Sequence, residues 1–122
     1  EVQLTEDVVN TTWGWLMDRT HPLKGLVAEV DDRLIGLAHY RAMPRPLWGK
    51  NIGFLDDIIV APAFRGSEAA KLLLNELKSI GCREKWGTVR WITRDNNYRA
   101  RALYDKVALK TDLNIYEMNC GD

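Results

Sequence analysis

The stretch Phe54-Leu55-Asp56-Asp57-Ile58-Ile59-Val60-Ala61-Pro62-Ala63-Phe64-Arg65-Gly66-Ser67-Glu68-Ala69-Ala70 decides the fold. Its first half belongs to a β-branched and apolar run, Ile52 to Val60, which reads as a strand. Pro62 stops that strand, because proline brings no donor to a ladder. A helix follows over about Ser67 to Ile80, where Ala70, Leu73, Leu74, Leu77 and Ile80 form one stripe and Lys71, Asn75, Lys78 and Ser79 the other face. Gly81 stands where a left-handed C-terminal cap is expected. Thr88 to Thr93 reads as the next strand, so strand, helix and strand make a parallel pair with a right-handed crossover. Ligands favour the carboxyl ends of such strands. Those ends are Val60 and Thr93, so the helix starts at Ser67 and Asn97 are where chemistry is expected.

Working outward, Thr5 caps a helix over about residues 5–19 whose stripe is Val9, Thr12, Trp13, Leu16 and Met17. Leu26 to Val30 and Leu34 to Met43 form an antiparallel hairpin through Asp31-Asp32, and Pro44 to Lys50, with its two prolines, reads as a loop. Beyond the fourth strand, Asn97 caps a helix from Tyr98 to Val107, and Leu113 to Asn119 reads as a closing strand. The sum is an α/β domain, residues 1–122, with a mixed central sheet and flanking helices.

Composition narrows the function. Seventeen Lys and Arg balance seventeen Asp and Glu in 122 residues, interleaved along the chain, so no basic surplus marks a nucleic-acid groove. One domain of this size buries a core without staples. Cys82 and Cys120 make no disulfide framework and, with only His21 and His39 as other soft ligands, no zinc site; they suit a reducing cytoplasm. No apolar run reaches the roughly 18 residues of a membrane span, and no signal peptide opens the chain. The chain begins at Glu1, not at methionine, which reads as a processed or partial protein.

The turn from Val60 to the helix start supplies backbone N–H groups and the positive end of a helix dipole, a setting for a pyrophosphate. Taken with Asn97-x-x-Ala100-x-x-x-Tyr104 downstream, the Asp56-Asp57 strand and the Arg65-Gly66 turn resemble the GNAT superfamily of acetyl-CoA-dependent N-acetyltransferases, with the diamine (spermidine/spermine) N-acetyltransferases as the nearest branch. The resemblance implies that Ile58, Ile59 and Val60 present backbone groups to the pantetheine arm, that Arg65, Gly66, Ser67, Glu68, Ala69 and Ala70 wrap the pyrophosphate, and that Asn97 and Tyr104 meet the lower arm and the sulfur. It implies acetyl-CoA as co-substrate and no metal. Two departures stand out. Glu68 occupies the middle glycine of the family turn, and the strand and helix that open the family fold are not visible ahead of the first helix, a gap for which a homodimer is the simplest cover.

The chemistry implied is direct attack of a small-molecule primary amine on the thioester in a ternary complex. An alkylamine with a pKa of roughly 10 is protonated at pH 7, so a base must relieve it of a proton. Asp56 and Asp57 are adjacent acids in a strand, and alternation sends one to each face, so one of them meets the cleft. Tyr104 is the candidate acid for the leaving thiolate. Trp13, Trp48 and Trp91 read as core more than pocket, with only Trp48 lacking an obvious partner. His39 reads as packed and not catalytic, and Arg90, Arg94, Arg99 and Arg101 as a solvated face. The alternative to an enzyme is a GNAT-shaped module that binds CoA weakly or acts through protein contacts.

Overall fold

The computed structural model describes residues 4–66 and 68–121. The chain divides into two compact units, Glu1–Ile92 and Thr93–Asp122. The first holds helix α1 (Glu6–Met17), strands β1 (Lys24–Val30), β2 (Arg33–Arg45) and β3 (Lys50–Val60), helix α2 (Ala69–Arg83) and strand β4 (Val89–Trp91), with single 3-10 turns at Pro46–Trp48 and Pro62–Phe64. The sheet order is β1-β2-β3-β4. The first two pairs are antiparallel and β3 runs parallel to β4, the mixed sheet that the strand-helix-strand pattern predicts.

Local chemistry explains the boundaries. The Thr5 hydroxyl accepts the Val8 N–H at 3.2 Å and caps α1. Asp31 and Asp32 both take positive φ, 50° and 63°, the two-residue turn whose twist suits a hairpin and which Asp tolerates. The expected loop at Pro44 to Lys50 is shorter than its prolines suggest: Pro44 pairs with Asn51 and Arg45 with Lys50. β1 has no partner for β2 beyond Tyr40, so this part of β2 is an edge, where a missing donor is tolerated.

Gly81 is not a left-handed cap. It lies inside α2, which runs on to Arg83, and the left-handed positions are Lys85 (φ 58°) and Gly87 (φ 74°). Gly81 is small for packing: a Cβ there would come within 3.3 Å of Val89 Cγ2 and 3.6 Å of Trp86 Cε3. The same indole lies over Gly53, whose added Cβ would sit 2.6 Å from Cζ3. Trp86 is thus seated between α2 and β3 at two positions that hold no side chain.

Most of the core lies on the face of the sheet that meets α2, while Ile52, next to Gly53 in β3, is buried on the other. Leu73, Leu74, Leu77 and Ile80 of α2 are buried with Ile35, Ala38, Leu55 and Trp86, each large apolar side chain contributing about 1.5–3 kcal/mol by leaving water. Gly36 approaches Leu73, and Tyr40 meets Trp86 edge-on at 6.2 Å between ring centres, so the even-numbered β2 residues from Gly36 to Ala42 face α2. His39 and Arg41 take the opposite face, where Leu16 of α1 reaches Gly25, the β1 partner of His39. The α1 stripe is only partly covered: Thr12 and Leu16 are half-buried, while Val9, Trp13 and Met17 remain exposed.

The second unit contains α3 (Tyr98–Val107), capped by Asn97, whose Oδ1 accepts the Ala100 N–H at 3.3 Å. The closing strand expected over Leu113 to Asn119 does not form; those residues have no regular structure, and Leu113, Ile115, Tyr116 and Met118 are exposed. Alternation makes a strand only where a ladder takes up the backbone groups. Here local bonds intervene instead, Leu113 N–H to Thr111 Oγ1 and Gly121 N–H to Asn119 Oδ1.

Candidate active site

β3 pairs with β2 along its whole length but with β4 only at Gly53, Phe54 and Leu55. From Asp56 to Val60, therefore, no strand among the described residues takes the second edge of β3. The Ala61 N–H donates to the Ile35 carbonyl at 2.8 Å, so by alternation Ile58 and Val60 turn their N–H and C=O groups toward that open edge. An extended ligand with amide groups can pair there as a strand would. The edge leads through the Pro62–Phe64 turn to Gly66, at φ 84°, and the start of α2.

The residues that separate the paired from the open part of β3 are Asp56 and Asp57. The register passes from Tyr40↔Leu55 to His39↔Asp57, leaving Asp56 as an extra residue, a β-bulge. This overturns the simple alternation expected for the two acids. Asp57 lies opposite His39 and bonds its Nδ1 through Oδ2 at 3.0 Å. Asp56 takes both Nε (2.9 Å) and Nη2 (3.2 Å) of Arg41. Since His39 and Arg41 share a face, the bulge brings both carboxylates to that face, beside Phe54, over whose ring the Arg41 guanidinium sits at 4.8 Å. His39 and Arg41 were not legible as site residues. Their spacing of two on a strand places them together, but only the hairpin register sets them against the acids.

The helix start fits the anion role in part. A Cβ at Gly66 would meet nothing within 4 Å, so the turn opens onto free space. Ser67 lies outside the described residues. Arg65 is exposed, Ala69 is buried and Ala70 half-buried. Glu68 is the N-cap of α2, without a side-chain capping bond, at φ −77°, so the backbone does not call for glycine there. Its side chain is 79% exposed and lies 4.0 Å from Lys71 Nζ, one turn on, which offsets part of its charge. The described residues thus place the outward-turned backbone groups of Ile58 and Val60 on a line that leads to the N-terminus of α2. Among the described residues, no group of three or more His, Cys, Asp or Glu could hold a metal ion.

The remaining candidates divide plainly. In the second unit, Asn97 spends its Oδ1 on the α3 cap, and Tyr104 is half-buried on the α3 face with Ala100 and Leu103, its phenol raised above the ordinary value by burial. Arg101 Nη1 holds the Asp95 carboxylate at 3.3 Å. Trp48 has a partner after all, the Arg45 guanidinium 3.6 Å above its ring, while Trp13 is 60% exposed and Trp91 half-buried at the end of β4. Cys82 and Cys120 are free and exposed, and no helix among the described residues is long and apolar enough to cross a membrane.

Known proteins carry the same fold. D-amino-acid N-acetyltransferase HPA3 of Saccharomyces cerevisiae is 31% identical over 116 residues, covering 93% of this chain and 71% of the yeast protein. The solved ribosomal-protein-alanine N-acetyltransferase of Brucella melitensis superposes with a TM-score of 0.74 at 26% identity, over 83% of this chain and 75% of that one. An aminoglycoside N-acetyltransferase, AAC(6')-Iy, solved in complex with CoA, superposes at 0.81 and 18% identity, over 96% and 79% of the two chains. The acetyltransferase (GNAT) family model matches residues 2–108, the whole span from α1 through α3, and the chain belongs to that family.

Proposed function

We propose that this GNAT acetyltransferase moves the acetyl group of acetyl-CoA to a primary amine of a small molecule, by direct attack in a ternary complex. The observation that carries the reading is the open edge of β3, which starts at the bulged carboxylates and runs to the α2 N-terminus. Acetyl-CoA, when bound, supplies the acyl group as a thioester. Ile58 and Val60 orient its arm through backbone bonds, Ile59 lies between them, and the turn from Arg65 through Gly66, Ser67 and Glu68 to Ala69 and Ala70 receives its phosphates, with Asn97 at the lower arm. Asp56 and Asp57 mark the acceptor side, where their charge draws a cationic amine and serves its deprotonation. Tyr104, held protonated by burial, donates to the departing sulfur.

The relatives named above act on a D-amino acid, a protein's alanine and an aminoglycoside, which supports an amine acceptor. A polyamine-like amine is the acceptor that the resemblance to diamine acetyltransferases favours. The family match spans both units and supports reading residues 1–122 as one catalytic domain. Two unpaired, exposed cysteines accord with a reducing cytoplasm. The partly covered α1 and the edge strand β1 support a homodimer in which a second copy covers apolar surface. One observation favours the other reading, a weakly CoA-binding module: the Glu68 carboxylate at the helix start.

The test is calorimetric titration with acetyl-CoA, followed by a thiol-release assay across diamines, polyamines, amino acids and aminoglycosides. Binding with turnover on at least one amine supports the enzyme. Binding without turnover on any of them supports the module, and no binding refutes both.

A further inference from the structure

We infer that His39 is the proton acceptor of the transfer, with Asp57 as the residue that positions it; the inference rests on the acetyltransferase reading above. A carboxylate at neutral pH can only accept hydrogen bonds, so the 3.0 Å contact between Asp57 Oδ2 and His39 Nδ1 requires the proton on Nδ1. In the neutral ring this leaves the lone pair on Nε2, a base oriented by its carboxylate. The imidazole is held in place: its side chain is 18% exposed, against 55% for Asp57. It stands opposite Asp57, the first residue beyond the bulge and one before Ile58, whose backbone groups turn to the open edge.

The neighbouring acids are less suited to the task. Asp56 has both oxygens engaged by Arg41. Asp57 has one oxygen on His39, and a carboxyl group as a class lies roughly 6 pH units below an alkylammonium, whereas an imidazole lies roughly 4 below, which makes it the stronger base for the same transfer. The ionisable groups facing His39 are Asp57 across the ladder, Asp56 beside it and Arg41 two residues along β2; β1 brings Gly25 opposite, and α1 brings Leu16 against Gly25. In the step, one ammonium proton of the acceptor passes to Nε2 and later to water. The freed nitrogen forms the bond to the acyl carbon, the carbon–sulfur bond breaks with its electron pair going to sulfur, the thiolate takes the Tyr104 proton, and a second proton from that nitrogen restores the phenol.

Three measurements test this. His39→Gln should lower kcat by about 10² or more, flatten the acid limb of the pH–rate profile, and leave acetyl-CoA affinity within about twofold by calorimetry. Asp57→Asn should lower kcat about tenfold, with a smaller rise, about two- to threefold, in KM for the amine from the lost charge. Long-range nitrogen-15 correlation spectra of the unmutated protein should show the neutral His39 ring protonated on Nδ1, a readout that needs no variant to fold. A His39→Gln enzyme within about fivefold of wild type, a retained pH limb, or a neutral ring protonated on Nε2 would each overturn the assignment while leaving the acetyltransferase reading intact. An unmutated protein that neither binds acetyl-CoA nor acetylates any amine overturns both, and that failure is seen without any substitution.

Discussion

Replacing Arg41 by alanine should loosen the bulge that turns both aspartates to one face. The guanidinium makes two bonds to Asp56, at 2.9 and 3.2 Å, with side-chain exposures of 36% for Arg41 and 27% for Asp56. Fully exposed ion pairs contribute about 0.2–1 kcal/mol and buried charge-assisted bonds about 1.5–3, so a bidentate pair one-third exposed lies at about 1–2 kcal/mol. The guanidinium also covers the Phe54 ring at 4.8 Å, which adds about 0.5–1 kcal/mol. Arg41→Ala should therefore cost about 2 kcal/mol, a fall in Tm of roughly 8 °C for a chain of this length. Urea unfolding of wild type, Arg41→Ala, Asp56→Ala and the double variant isolates the pair, and the expected coupling is about 1–2 kcal/mol, with more than half kept in 1 M NaCl because the pair is partly shielded from solvent. Arg41→Lys should retain about half, since an ammonium cannot span both oxygens. Turnover should fall with the stability, because His39 and Asp57 lie just across the bulge. A coupling below about 0.3 kcal/mol would refute the claim that this pair pins the bulge.

Gly53→Ala should destabilise by about 1–3 kcal/mol in the same unfolding assay, since the new methyl would sit 2.6 Å from Trp86 Cζ3 in a packed core; an unchanged midpoint would show that the indole can step aside. Glu68→Gln should tighten acetyl-CoA by about two- to fivefold at low salt and by little at high salt, because an exposed carboxylate already near Lys71 opposes a phosphate only weakly, and calorimetry at two ionic strengths reads it. Tyr104→Phe should lower turnover by about 10² with acetyl-CoA affinity within a few-fold, and equal turnover would remove its role as acid. Burial raises the phenols of both Tyr40 and Tyr104 above 10.0, so their contribution to stability is complete below about pH 10 and is lost as pH rises through the folded-state values; Tyr40→Phe should flatten that alkaline loss in urea titrations. Light scattering should show a dimer at micromolar concentration, and a clean monomer at high concentration would refute the association.

Local chemistry alone determined much of this protein. The Thr5 and Asn97 caps, the Asp31-Asp32 turn and the leucine stripe of α2 act within a few residues of themselves, so each is legible from neighbours in the chain. The strand-turn-helix around Arg65-Gly66 was legible for the same reason. Three features were not, and each depends on packing or pairing that the local pattern of residues does not name. Gly81 reads as a cap until Trp86 and Val89 are seen against it. Leu113 to Asn119 has a strand's composition, but among the described residues no ladder takes it up, and the Leu113 N–H turns to the Thr111 hydroxyl instead. The acids at 56 and 57 alternate on paper, whereas the pairing of β2 with β3 places the bulge at Asp56 and sets His39 and Arg41 against them. A one-residue shift in register exchanges the faces of a strand, and only tertiary pairing selects the register.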